Sequence, residues 1–345
     1  MMKRFLCVTL LFSCATLIAL GCGDSSSSGR SAGDSPGQIR IGMMPKLIGI
    51  SFFDAAERGA QEAAQELQVK LIYDGPTSDS AEEQAGLVNT WAAQGFDVIA
   101  VAPNDPDAIA SKLADAKATG ATVLTWDTDA NPEKSGRELF INHTPNQGMA
   151  DTLVDMMVAG AGEGEGGQLK GKFIIVSGTQ TAANQNAWMA LMIPILEQQH
   201  PECELLPTLY PSEDQSKALE QTAAALDAHK ELKGIWAITS VALPAAAKAV
   251  RDVGRQDEVC VTGLSLPSLM DEYIKDGTIE QFALFDVEDL GYLTVFVAHQ
   301  LTQGPIAVGT HDFGRVKGVT VTEDGQVILG NPVVFNKDNI DDYRF

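Results

Sequence analysis

The chain has 345 residues, 45% of them hydrophobic and 20% charged, with a formal net charge of −22. That length predicts about two domains, each able to bury its own core. The acidic balance, with no local basic patch, excludes nucleic acid and anionic membrane surfaces as partners.

The first segment reads as a targeting signal. Lys3 and Arg4 precede an uncharged, mostly apolar stretch from Phe5 to Leu20, and Ala19-Leu20-Gly21-Cys22 supplies the small-residue-then-cysteine ending of a lipoprotein signal. The competing reading is an ordinary anchor helix with an incidental cysteine. The stretch is short for a span, although Ala19 stands where leucine is usual. Residues 1–21 are therefore expected to leave and Cys22 to carry lipid, which takes the charge from −22 to −24 because Lys3 and Arg4 go and no acid does. Of the five cysteines, Cys7 and Cys14 leave with the signal, and Cys203 and Cys260 remain. A bridge between these two suits an oxidising compartment, but Cys260 lies in the strand-like run VCVTG, where a buried free thiol is commoner.

Residues 22–38 form a tether: DSSSSGRSAGDSPGQ has too few apolar groups to bury. From Ile39 onward, β-branched runs alternate with alanine-rich amphipathic stretches: IRIGMMP, Asp54 to Leu67, VKLIY, Ala81 to Gly95, DVIAVAP, Pro106 to Gly120, ATVLTW. Such alternation predicts a parallel sheet flanked by helices. Asp54 with Glu57 resembles a capping box, and Gly95 and Gly120 are placed to close their helices. After a break at Asn142 to Pro145 the pattern restarts with KFIIVSG and runs through Gln185 to Gln199, CELLPTLY, Gln215 to His229, KGIWAIT, Ala242 to Val253, EVCVTG, Pro267 to Lys275 and TIEQFALF. A last helix, Leu290 to Leu301, precedes a β-like tail with a hairpin candidate at Glu323-Asp324-Gly325. The fold class is α/β, with two doubly wound parallel-sheet lobes.

Several familiar chemistries fail on inspection. Asp127, Asp129, Asn131 and Glu138 match a calcium-loop spacing, but Pro132 occupies the position that needs a glycine turn. GAGEGEGG follows a helix and carries Glu163 and Glu165, which repel phosphate, and no P-loop is present. The five histidines are scattered, and no nucleophile elbow appears. Asp127 and Asp129, two apart, specify no acid and nucleophile pair.

Doubly wound sheets bind ligands outside the carboxyl ends of their strands. The loops there carry Pro45-Lys46 with Phe52-Phe53, Asn104-Asp105, Trp126-Asp127, Asn184-Gln185-Asn186, Thr239-Ser240, Ser265 and Asp286. Carboxylates and amides suit vicinal hydroxyls, and aromatic faces suit the C–H side of a sugar ring, so this set predicts a site for a neutral polyol. Phe52, Phe53, Trp126, Trp188 and Lys46 can also be read as ordinary packing or a solvated strand end.

PKLIGISFF, YDGPT, LTWDTD, NQNAW and VFNKDNI resemble the periplasmic solute-binding proteins of ABC importers, in the ribose-type sugar-binding fold, over nearly all of Gln38 to Phe345. Within them they resemble the branch containing autoinducer-2-binding and rhamnose-binding proteins. The resemblance implies a type I periplasmic binding protein with a three-segment hinge crossing near Asn142, Phe285 and Arg315. The lobes are then 39–142 plus 286–314 and 143–285 plus 315–345. Lys46, Asp127 and Gln185 align with ligand contacts of the autoinducer-2 group, whereas Asn184, Ile238 and Ser240 depart from it. Asn184 and Thr239-Ser240 look more like the rhamnose group, and Phe52, Phe53 and Asp286 match sugar-lining positions of the wider family. Asn184 in place of an aspartate favours a neutral sugar, such as rhamnose or a similar deoxyhexose, over autoinducer-2. The implied protein is a monomeric receptor in the periplasm, anchored to the membrane by lipid. It delivers its ligand to a permease and uses no cofactor, no metal and no catalysis. Delivery to a chemoreceptor or kinase is the alternative role. A related repressor would need a helix-turn-helix where the signal and tether stand.

Overall fold

The computed structural model describes residues 37–343 and Phe345. The expected signal, the Cys22 lipidation site and almost all of the tether lie outside the described residues. Strand β1 (Arg40–Met44) leads into α1 (Ser51–Leu67), followed by β2 (Lys70–Tyr73), α2 (Ala81–Ala93), β3 (Val98–Val101), α3 (Ala110–Ala118), β4 (Thr122–Trp126), the single turn α4 (Pro132–Ser135) and β5 (Phe140–Asn142). The alternation continues through α5 (Asn146–Ala161), β6 (Gly171–Val176), α6 (Ala183–Gln199), β7 (Cys203–Leu205), α7 (Gln215–Ala228), β8 (Leu232–Ala237), α8 (Ala242–Asp252), β9 (Cys260–Gly263), α9 (Pro267–Lys275) and β10 (Gln281–Leu284). Last come α10 (Val287–Leu301), β11 (Gly309–Phe313), β12 (Val316–Val321), β13 (Gln326–Ile328), β14 (Val333–Asn336) and a 3₁₀ turn at Ile340–Asp342.

The first sheet has the order β11-β12-β13-β5-β4-β3-β1-β2, parallel from β13 to β2 and antiparallel beyond. The second is β7-β6-β8-β9, all parallel. There β10 joins through a single parallel bridge, Leu264 with Ala283, and pairs antiparallel with β14. In both sheets the strand order reverses at the first strand, β1 or β6. That reversal opens a crevice at the carboxyl ends of the strands. Strands β1 and β3 are buried throughout, as expected of strands covered by helices on both faces.

Helix α1 starts earlier than Asp54. Its N-cap is Ile50, which cannot cap through its side chain, so Asp54 and Glu57 form no capping box at the N-cap; Asp54 sits in the first turn. Phe52 and Phe53 are buried on the face that α1 shares with Ala55, Ala56, Gly59 and Ala60, and that burial carries the helix back to Ser51. Helices α1 and α10 pack backbone to backbone. A Cβ on Gly59 would stand 1.8 Å from the Glu288 carbonyl oxygen, and one on Gly291 1.8 Å from that of Ala56. Gly95 and Gly120 do close α2 and α3, with φ of +69° and +102°.

The chain leaves the first sheet after β5, and α5 packs against β8, β9 and β10. It returns through α10, which packs on α1. The third crossing lies between Ile328 and Val333, not near Arg315. Strands β12 and β13 form the expected hairpin around Gly325, φ +76°, and β13 lies parallel on β5 with Val327 opposite Ile141. Pairing with β5 and burial of Val316, Val319 and Val321 hold this segment in the first lobe. Arg315 itself bonds to Asp289 at 2.6 Å and to Glu62.

Cys203 on β7 and Cys260 on β9 are free, with β6 and β8 between their strands. Burial pushes their thiols up to about 11 and about 12. No helix among the described residues is long and apolar enough to cross a membrane.

Candidate ligand-binding site

Between the lobes lies a narrow cavity. The first lobe contributes Lys46, Ile50, Phe52, Phe53 and Asp127, and the second lobe faces them with Asn184, Gln185, Glu213 and Ser240. The strand ends behind Lys46 are fixed by amides. Asn104 donates to the Lys46 carbonyl at 2.8 Å, and Gln84 accepts from the Asn104 backbone while donating to the carbonyls of Pro45 and Ala102. A fully satisfied buried network of this kind holds its members in one arrangement.

Lys46 is buried. Its Nζ donates across the gap to Asn184 Oδ1 at 3.1 Å and stands 3.8 Å from Asp127 Oδ2. Asn184 Oδ1 also accepts from the Gln185 backbone, and Thr181 donates to the Asn104 carbonyl at 3.0 Å, so the lobes meet at two points beside the cavity.

Asp127 has φ +59°, and the Thr128 N–H bonds back to the Trp126 carbonyl at 2.6 Å. This tight turn ends β4 and is a strained conformation that aspartate tolerates better than most residues. The Thr128 hydroxyl donates to Oδ2 at 3.1 Å, and His143 Nε2 stands 3.9 Å from Oδ1. Burial holds the Asp127 carboxyl above its usual range, opposed by Lys46 and by the Thr128 hydrogen bond. His143 is stacked on Phe285 at 4.0 Å, and burial, with Lys46 adding to it, drives its pKa down to about 3. It is therefore neutral, and neither ring nitrogen finds a hydrogen-bond partner among the described residues.

Phe52 meets Phe53 edge to face at 5.1 Å and Phe285 at 6.0 Å, giving the cavity an apolar wall. The Gln185 side-chain amide oxygen, Oε1, is buried without a partner among the described residues. Trp188 lines the cavity while its N–H donates to Asn146 at 3.2 Å.

Of the eight ligand-contact residues expected from sequence, the cavity brings together Lys46, Phe52, Phe53, Asp127, Asn184, Gln185 and Ser240. Asp286 is not among the lining residues. Its carboxylate accepts from the Asp289 N–H at 2.9 Å as the N-cap of α10. Ser265 donates to the Ser240 carbonyl instead of facing the cavity, and Asp105 caps its own turn. The calcium-loop residues go separate ways: Asp129 takes both arms of Arg137 at 2.7 Å, Asn131 caps α4, and Glu138 pairs with Lys117. Among the described residues no group of acids, histidines and cysteines could hold a metal ion.

Five lining residues, Ile50, Glu213, Leu264, Leu284 and Phe285, were not singled out from sequence as site residues. Glu213 sits in the loop after β7, at the same carboxyl end as the other site loops, and the acids of PSED were the available signal.

The periplasmic binding protein domain family matches residues 41–306. The chain belongs to that family. Among solved structures, this binding protein is similar to LsrB from Clostridium saccharobutylicum in complex with AI-2. The TM-score is 0.83 and the identity 25%, over 89% of this chain and 100% of that one. It is also similar to a solute-binding protein from Clostridium phytofermentas with bound L-rhamnose, with TM-score 0.80 and 29% identity over 89% and 98% of the two chains. A sugar ABC transporter structure from Actinomyces odontolyticus is 33% identical with TM-score 0.69, over 89% of this chain and 98% of that one. Among curated proteins, it is 26% identical to the ribose import binding protein of Bacillus subtilis over 133 residues, 39% of this chain and 43% of that protein's length. It is 22% identical to the D-apiose import binding protein of Actinobacillus succinogenes over 235 residues, 68% of this chain and 72% of that one.

Proposed function

We propose that this binding protein is the receptor of a sugar ABC importer. It captures one neutral monosaccharide, a deoxyhexose such as rhamnose, between two closing lobes and performs no chemistry on it. The observation that carries the reading is the mixed wall of the interlobe cavity: Lys46, Asp127, Asn184 and Gln185 offer hydrogen bonds from opposite lobes beside the apolar faces of Phe52 and Phe53. Hydroxyls satisfy such groups and ring C–H faces cover such aromatics. A ligand gripped by both lobes favours the closed arrangement by its differential affinity for it, and the permease can read that arrangement. The sugars named for the Clostridium phytofermentas and Actinobacillus succinogenes proteins support the same ligand class.

In this reading Cys22 carries the lipid anchor, the body works as a monomer facing the periplasm, and a permease is its partner. A second reading, an autoinducer-2 receptor, is favoured by the match of Lys46, Asp127 and Gln185 to that group and by the complex of the Clostridium saccharobutylicum neighbour. Calorimetry with a panel of neutral monosaccharides is expected to give a single site of roughly micromolar or tighter affinity. Binding of an autoinducer-2-type furanone with no response to any sugar would select the second reading.

A further inference from the structure

Asn184 stands where the autoinducer-2-binding group carries an acid, yet the second lobe still brings a carboxylate to the cavity, from a different loop. Glu213 lines the inner cavity with Lys46, Asp127 and Ser240, and it also lines a neighbouring interlobe cavity bounded by Ile50, Ser51 and Ser240. It therefore sits at the neck between the two. Its carboxylate accepts no hydrogen bond from any described residue, although Lys46 and Asp127 are close enough to act on its charge.

The surroundings make room for this acid. Gly178, two residues past β6, is buried, and a Cβ there would stand 2.6 Å from Glu213 Oε1 and 3.4 Å from the Thr239 methyl group. Ser212, just before Glu213, takes a φ of +61°, which redirects the chain at the loop. Burial raises the Glu213 carboxyl above its usual range; Lys46 pulls the other way, while Asp127 and Asp79 add to the rise. A half-buried carboxyl group with no protein donor, beside Gly178 and facing two cavities, is suited to hydroxyl groups of a ligand.

We propose that Glu213 is a specificity-determining ligand residue of this site: its carboxylate takes hydroxyl hydrogen bonds from the sugar on the second-lobe side, opposite Asp127, and so selects neutral polyols over anionic sugars. This rests on the sugar reading above. With two acids, Asp127 and Glu213, and one cation, Lys46, lining the same cavity, a uronic acid or a sugar phosphate meets repulsion that the lysine does not cancel.

The test is calorimetry on the full chain with neutral monosaccharides, their singly deoxygenated analogues and the matching uronic acids, for wild type, Glu213→Gln, Glu213→Asp and Gly178→Ala. Glu213→Gln is expected to weaken the best neutral sugar about tenfold or more, the size of a lost charge-assisted hydrogen bond. One deoxy analogue should bind wild type correspondingly worse and bind Glu213→Gln no worse than the parent sugar does. Glu213→Asp keeps the charge but shortens the arm and is expected to lose affinity as well, which separates contact from general electrostatics. Gly178→Ala displaces only the far end of a flexible side chain and should act in the same direction without lowering the ligand-free melting temperature. Sugar affinity unchanged in Glu213→Gln, with Asp127→Asn still defective, overturns the assignment of Glu213 and leaves the sugar reading standing. Failure of every sugar to bind wild type overturns both.

Discussion

Replacing Asp127 by asparagine isolates the carboxylate. Alanine is the poorer probe, because at φ +59° it would add strain of about 1 kcal/mol, whereas asparagine adopts that conformation readily. Asparagine keeps the volume and one oxygen, so the Thr128 hydroxyl can retain its 3.1 Å bond. What disappears is a charged acceptor facing the cavity, and an amide N–H₂ takes the place of the second oxygen. A hydrogen bond to a charged group contributes about 1.5–3 kcal/mol, so losing one and weakening another should remove roughly 2–4 kcal/mol of binding, or about 30- to 1,000-fold in Kd. Calorimetry with the best-binding neutral sugar measures this, and a circular dichroism melt checks that the fold persists. A folded Asp127→Asn chain whose affinity drops less than about threefold would refute the reasoning, because the carboxylate would then face no ligand hydroxyl.

Asp286→Ala should separate capping from binding: loss of the N-cap bond to Asp289 costs about 1 kcal/mol of stability, while sugar affinity stays within about threefold. A tenfold loss of affinity in a folded chain would restore Asp286 to the site. His143 is neutral in the fold with a pKa of about 3, while the unfolded chain takes up a proton near its ordinary 6.5. Its contribution to stability is thus complete above about pH 6.5 and declines by about 1.4 kcal/mol per pH unit as pH falls toward 3. His143→Phe keeps the stack on Phe285 and should flatten the denaturation midpoint between pH 6 and 4; an unchanged pH slope would contradict this. At pH 8 the thiolate fractions of Cys203 and Cys260 are about a thousandth or less, so iodoacetamide should label both at least ~100-fold more slowly in the folded than in the denatured chain, as peptide mass spectrometry would record. Fast labelling of the native chain would show that neither thiol is held as described.

The alternation of strand and helix was legible because parallel strands covered on both faces read as short apolar runs, and VIAV and TVLTW are such runs. The place of Asp127 at the cavity was legible for the same reason: it directly follows a buried strand, and the carboxyl end of that strand opens on the crevice. Its neighbour Asp129 looked similar but turns to Arg137, a pairing eight residues along that spacing alone did not reveal. The lobe assignment of β12 and β13 depends on a pairing with β5 across more than 180 residues, and local pattern carries no record of it. An aspartate before a helix reads equally as cap and as ligand, and Asp286 is the cap. Glu213 escaped attention because β7 is only three residues long and its following loop was not recognised as one of the site loops. Burial of Phe52 and Phe53 likewise overrode the polar signal at Asp54 and moved the start of α1.

Mass spectrometry of the protein purified without added sugar, with the bound molecule released by denaturation, tests the account most directly. The expected result is one intact, uncharged pentose or hexose per chain, lost in Asp127→Asn. Recovery of an anionic or strongly apolar molecule at that stoichiometry, retained by the Asp127→Asn chain, would contradict a polyol site between the lobes.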